Sequence, residues 1–151
     1  MERKTLVFDM DGTIADLYQF PDWLEYLTNE DTKPYRDCQP LYDMAKLADI
    51  LNKLKTFGWQ IVVVSWGAMN GTREYTRQVK TAKKEWLAEY GFPADRVHVV
   101  KYGTLKHTVC KRYTDYGILI DDNADVRKTW KLGDTLEPNG DLFQKLEALA
   151  A

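Results

Sequence analysis

Cysteine is scarce: Cys38 and Cys110 are the only two in 151 residues, too few and too far apart for a disulfide framework or a zinc site built on paired thiolates. Both are expected as buried thiols. No apolar run approaches the roughly 20 residues that a bilayer-crossing helix needs, so a helical membrane span is excluded. The residues before Leu6 lack the basic-then-apolar start of a secretory signal, and the expected location is cytoplasmic. An excess of charge of one sign is also missing. Lys and Arg number 21 against 23 Asp and Glu, a formal charge of −2, so any contact with a polyanion has to be local. The chain has no internal repeat and no low-complexity linker, and its length suits one domain over residues 1–151.

What is present is an alternation of two patterns. Short runs rich in branched residues predict strands at Thr5–Phe8, Gln60–Val64, Val97–Val100 and Gly117–Ile120, with a fifth, weakly signalled, near Thr135-Leu136. Between them lie helical patterns. Met44, Ala48, Leu51 and Leu54 recur at helical spacing within Leu41–Phe57, ahead of Gly58. Tyr75, Val79, Ala82, Trp86 and Tyr90 form one apolar face within Thr72–Tyr90, ended by Gly91 and Pro93. A terminal helix is expected from Asp141 to Leu149. Near-continuous apolar strands separated by amphipathic helices predict an α/β, Rossmann-like parallel sheet of about five strands with helices on both faces. In such sheets, polar groups that do chemistry gather at the carboxyl ends of the strands.

Three of the predicted strands end in polar groups. Asp9 and Asp11 follow Leu6-Val7-Phe8, Ser65 follows Ile61-Val62-Val63-Val64, and Asp121-Asp122 follow Ile118-Leu119-Ile120. Side chains alternate along a strand, so Asp9 and Asp11 start on one side, and Gly12 lets the chain turn sharply enough to present both at one spot. Singly, each has an ordinary explanation: Asp-Gly is a common turn, Asp121-Asp122-Asn123 a plausible helix cap, and Ser65 a structural hydroxyl. Together, in order and each closing a strand, they point to a site.

Asp9-x-Asp11-Gly12-Thr13, the strand-ending Ser65 and the strand-ending pair Asp121-Asp122 resemble the motifs of the haloacid dehalogenase-like hydrolases, in order over most of the chain. That superfamily also uses a lysine. Lys106 is the choice here, because Thr104 can cap a helix whose first turn carries it toward the strand ends; Lys101, closing its own strand, competes, and Lys111 looks exposed. The resemblance implies a phosphomonoesterase with catalytic Asp9, Asp11, Ser65 and Lys106. It implies magnesium as cofactor, held by Asp9, Asp11 through its backbone carbonyl, and Asp121, with Asp122 beside the ion or acting through water. Converging carboxylates and all-oxygen ligands suit such a hard cation. Asp9 would attack phosphorus, and Asp11 would protonate the leaving alkoxide and then activate water, a role with no purpose in halide departure.

The gaps between motifs allow no large cap, only a small flap over residues 14–40 containing Phe20, Pro21, Trp23, Leu24, Tyr26 and Leu27. The site is therefore expected to be open, or covered by another subunit of a homo-oligomer. Open sites of this superfamily suit extended substrates, and the chain is similar to the phosphatase domain of phage-type polynucleotide kinase-phosphatases, which remove 3'-phosphates from nucleic-acid ends. Where that group carries Gly-Arg after the serine, this chain has Trp66-Gly67, so an arginine contact to phosphate is missing. The Asp-Met-Asp-Gly start is also similar to deoxyribonucleotidases. The expected partner is thus a phosphate ester, a nucleotide or a nucleic-acid end, with Gly12, Thr13, Trp66 and Arg73 as candidate substrate contacts. Trp66 or Trp23 would stack on a base. Arg73 heads a basic stripe with Arg77, Lys80 and Lys84 that is either a solvated helix face or a phosphate track. The competing classes are other small phosphate esters as substrate, a phosphoacceptor module and a silent binding protein.

Overall fold

The computed structural model describes residues 1–150. Five parallel strands, β1 (Lys4–Phe8), β2 (Trp59–Trp66), β3 (Arg96–Val100), β4 (Tyr116–Ile120) and β5 (Thr135–Leu136), form one sheet in the order β3-β2-β1-β4-β5. Seven helices accompany them: α1 (Trp23–Thr28), α2 (Lys33–Asp37), α3 (Met44–Thr56), α4 (Arg73–Glu89), α5 (Lys106–Cys110), α6 (Ala124–Thr129) and α7 (Leu142–Ala148). β1 lies at the centre, with Phe8 opposite Val63 on one side and Ile120 on the other. The Asp9 amide extends this ladder by donating to the Ile120 carbonyl at 2.9 Å.

The period of two along each strand sorts the core into two layers. Leu6, Phe8, Ile61, Val63, Ile118 and Ile120 pack on one face with Leu47, Leu51 and Leu54 of α3, Trp86 of α4 and Leu142 and Leu146 of α7. Val7, Val62, Val64 and Leu119 pack on the other with Cys110 of α5, Val126 of α6 and Trp130. Each such side chain withdrawn from water contributes about 1.5–3 kcal/mol to folding. Both cysteines are buried free thiols. No helix among the described residues is long and apolar enough to cross a membrane.

Residues 14–40 hold a short 3-10 turn at Leu17–Gln19 and the helices α1 and α2. Leu17 and Tyr35 pack against Tyr75, Val79 and Ala82 of α4. The same segment is tied to α4 by Tyr75, whose hydroxyl donates to the Asp31 carbonyl at 2.9 Å, and by Thr72, whose amide donates to Glu30 at 2.8 Å. The helix expected within Leu41–Phe57, α3, starts at Met44, because Asp43 caps it by accepting from the Lys46 amide. One local expectation is corrected. Thr104 does not cap α5: its hydroxyl turns back to the Lys101 carbonyl at 2.6 Å, and Leu105 occupies the cap position.

Candidate active site

β1 delivers Asp9 and, one tight turn later, Asp11 and Thr13. The amides of Thr13, Ile14 and Ala15 all donate to the Met10 carbonyl, which folds the chain back on itself. Gly12 makes this possible with φ of +82°, and a Cβ there would collide with the Asp122 carboxylate and lie 2.9 Å from the Tyr18 ring. The glycine therefore serves both the turn and the approach of Asp122. Gly12→Ala is expected to cost about 1–2 kcal/mol from the left-handed backbone alone. It should also push Asp122 aside, so that thermal melting shows a modest loss while turnover requires a raised magnesium concentration; an unchanged magnesium requirement would count against this placement of Asp122.

Thr13, buried, fastens the two acidic strand ends together. Its hydroxyl lies 3.0 Å from Asp9 Oδ2 and 3.2 Å from Asp122 Oδ1, and accepts the Asp122 amide at 3.2 Å. Carboxylate oxygens of Asp9, Asp121 and Asp122 lie within 4.8 Å of one another. β4 places Asp121 on the face of the sheet covered by α5, the parity shared by Asp9, and α5 brings Lys106 between them. Its Nζ donates to Asp9 Oδ1 at 2.9 Å and Asp121 Oδ2 at 2.8 Å. Burial works against the Lys106 charge, but Asp9 and Asp121 outweigh it and hold the ammonium above the ordinary lysine value. Lys101 is exposed and stands apart from this group.

Loss of water pushes the Asp121 carboxyl upward, as does the Asp9 charge, with Lys106 opposing. Asp122 is raised to about 7, first by burial and then by a shared hydrogen bond with Asp9 and the negative charge of its neighbours. Such crowding is what a divalent cation relieves, and a hard, oxygen-only donor set of three carboxylates fits magnesium. Asp11 stands outside this set by its side chain, which turns to another partner.

That partner is Lys83, which sequence reasoning assigned neither to the apolar face of its helix nor to the basic stripe. It is fully buried and donates from Nζ to Asp11 Oδ2 at 2.8 Å, Ser65 Oγ at 2.7 Å and the Trp66 carbonyl at 2.7 Å. The signal was present: Lys83 is four residues after Val79 and three before Trp86, so helical spacing puts it on the inward face of α4. Burial raises the Asp11 carboxyl above its ordinary value, with Lys83 opposing. Ser65 ends up 1% exposed at the tip of β2, behind Trp66.

A cavity of about 430 Å³ opens over Asp9, Asp11, Lys106, Asp121 and Asp122. Five aromatic side chains stand in its walls. Tyr18 and Trp23 of the flap meet edge to face with ring centres 5.0 Å apart, and Trp66 and Tyr102 face the cavity from the β2 and β3 ends at 4.9 Å. Leu24, Leu27 and Tyr35 complete the flap side, so the flap expected over residues 14–40 forms one wall of the cavity. Ser65 does not line the cavity, whereas the following Trp66, Gly67, Ala68 and Met69 do. Arg73 does not line it either; with Arg77, Lys80 and Lys84 it is exposed on α4, outside the cavity. Gly12 and Thr13 shape the acidic cluster from beneath.

Fold and site together define a Rossmann-like α/β protein with an acidic, lysine-bridged cluster at the carboxyl ends of its central strands. No protein-family model matches the chain, and no curated protein matches it in sequence. Among solved structures it is similar to D,D-heptose 1,7-bisphosphate phosphatase from Burkholderia thailandensis, with a TM-score of 0.52 and 12% identity over 97% of this chain and 96% of that one. The enzyme of the same name from B. bronchiseptica, solved with magnesium and phosphate, gives a TM-score of 0.53 and 13% identity over the same shares. At these identities the likeness is one of fold.

Proposed function

We propose that this protein is a magnesium-dependent phosphomonoesterase of the haloacid dehalogenase-like kind, acting on nucleotides through an aspartyl-phosphate on Asp9. The observation that carries the reading is the cluster of Asp9, Asp121 and Asp122, bridged by Lys106, on the floor of a cavity with aromatic side chains in its walls. A structure of the same fold that binds magnesium and phosphate supports its phosphate half. Bound magnesium would be held by Asp9, Asp121 and Asp122, with the Asp11 carbonyl as the resemblance suggests, and would neutralise charge so that an anionic ester can approach an anionic nucleophile.

The chain's own residues do the rest. An Asp9 carboxylate oxygen bonds to phosphorus as the ester P–O bond breaks, and Asp11 gives the departing alkoxide its proton. Asp11 then takes a proton from water, whose oxygen bonds to phosphorus and returns Asp9 and inorganic phosphate. Lys106 donates to the phosphoryl oxygens from beneath. The aromatic pairs Tyr18-Trp23 and Trp66-Tyr102 supply flat, apolar surface suited to a nucleobase, the leaving-group end of the substrate.

A phosphate-release panel in magnesium tests this reading. It compares 5'- and 3'-mononucleotides, 3'-phosphorylated oligonucleotides, a generic aryl phosphate and sugar phosphates under one set of conditions. Mononucleotides are expected to give the highest kcat/KM. Preference for 3'-phosphorylated oligonucleotides would move the substrate to nucleic-acid ends, and preference for sugar phosphates would overturn the nucleotide assignment in favour of the chemistry of the fold neighbours. No release from any ester would leave a phosphoacceptor or binding module.

A further inference from the structure

Lys83 occupies the one place in the site where a cation is saturated before any substrate arrives. Its ammonium has three hydrogens and no lone pair, and three acceptors receive them: Asp11 Oδ2, Ser65 Oγ and the Trp66 carbonyl, at 2.7 to 2.8 Å. The Tyr35 ring of the flap, 4.9 Å from Nζ, closes its remaining side. Fully buried, Lys83 has neither a free hydrogen nor a path to a phosphoryl group. Lys106 differs on both counts, lining the cavity beside Asp9.

Resting on the phosphatase reading above, we propose that Lys83 is a positioning residue for Asp11, holding Oδ2 so that Oδ1 is the oxygen that exchanges protons with the leaving group and with water. Among the described residues no other group bonds to the Asp11 side chain. Its orientation in the cavity therefore rests on this single ammonium. Ser65 and the Trp66 carbonyl fix the ammonium in turn, which accounts for a hydroxyl that closes β2 yet does not reach the cavity. In the first half-reaction the proton on Oδ1 passes to the alkoxide as the P–O bond breaks. In the second, Oδ1 takes a proton from the water that attacks the aspartyl-phosphate.

The test separates substrates by whether the leaving group needs a proton. p-Nitrophenyl phosphate releases a phenolate that is stable as an anion, whereas a 5'-mononucleotide releases an alkoxide that is not. In Lys83→Met with magnesium present, single-turnover release of nucleoside is expected to fall about 100-fold while the rapid-mixing burst of nitrophenolate stays within about 5-fold of wild type. Asp11→Asn should show the same split, and the double variant should be no slower than Asp11→Asn alone, because a residue acting through Asp11 has nothing left to act on. Equal losses on both substrates, or losses that multiply in the double variant, would overturn the proposal. Should Lys83→Met not fold, Lys83→Gln keeps one donor toward Asp11. It is expected between wild type and Asp11→Asn on the nucleotide, with its burst preserved, and an equal loss there overturns the proposal as well. A wild type that releases neither product overturns the phosphatase reading and this role with it; a wild type that turns over both, beside a Lys83 variant that loses both equally, overturns this role alone.

Discussion

Asp9→Asn is expected to lower kcat by about 10⁴-fold or more, in line with removal of a nucleophile from other covalent catalysts, while the protein stays folded. The amide has the size of the carboxylate and keeps an oxygen for the Lys106 ammonium, which reaches Asp9 at 2.9 Å. It removes one negative charge from a cluster in which Asp9 already raises both Asp121 and Asp122, so the crowding that opposes folding is reduced. The melting temperature without magnesium should therefore hold or rise slightly. Magnesium should raise it less than in wild type, since one of three carboxylates is gone. Turnover, trapping of a phosphoprotein by rapid acid quench and melting with and without magnesium read these three outcomes separately. Undiminished turnover would refute the assignment of the nucleophile.

The strand ends were legible because each obeys two independent rules at once. An apolar run of branched residues marks a strand, and a polar residue directly after it marks the carboxyl end where a parallel sheet gathers chemistry. Asp9, Ser65 and Asp121 satisfy both, and β1, β2 and β4 end within two residues of where the pattern places them. Lys106 was legible from its position just before the last acidic strand, although the cap expected of Thr104 is absent. Lys83 was not, because charged residues on an amphipathic helix are read as exposed by default. Its neighbours in the chain, Lys80 and Lys84, are exposed, and only the helical phase separates Lys83 from them. The flap was legible as a gap too short for a cap but not as a wall. Its helices, Trp23–Thr28 and Lys33–Asp37, are too short to carry a periodic signal and are set by packing on α4.

Lys106→Met should produce a large loss of stability. The ammonium is 3% exposed and lies between Asp9 and Asp121, themselves 13% and 2% exposed, so water cannot replace it. Removing one partner from a buried ionic group leaves uncompensated charge, at a cost of about 3–5 kcal/mol. In a domain of this size, that corresponds to a melting temperature lower by roughly 6–20 °C in magnesium-free buffer. The sign of the magnesium response then separates electrostatics from packing. Methionine fills nearly the volume of the lysine stem, so a packing defect would be small and indifferent to magnesium. Three carboxylates deprived of their ammonium attract a divalent cation more strongly, so the variant should regain more of its melting temperature on adding magnesium than wild type gains. Turnover should stay low at saturating magnesium, because the cation restores charge balance but not the donor to phosphoryl oxygens that we propose Lys106 to be. A melting temperature that falls by the same amount with and without magnesium would show that Lys106 acts as a core side chain rather than as the counter-charge of the cluster.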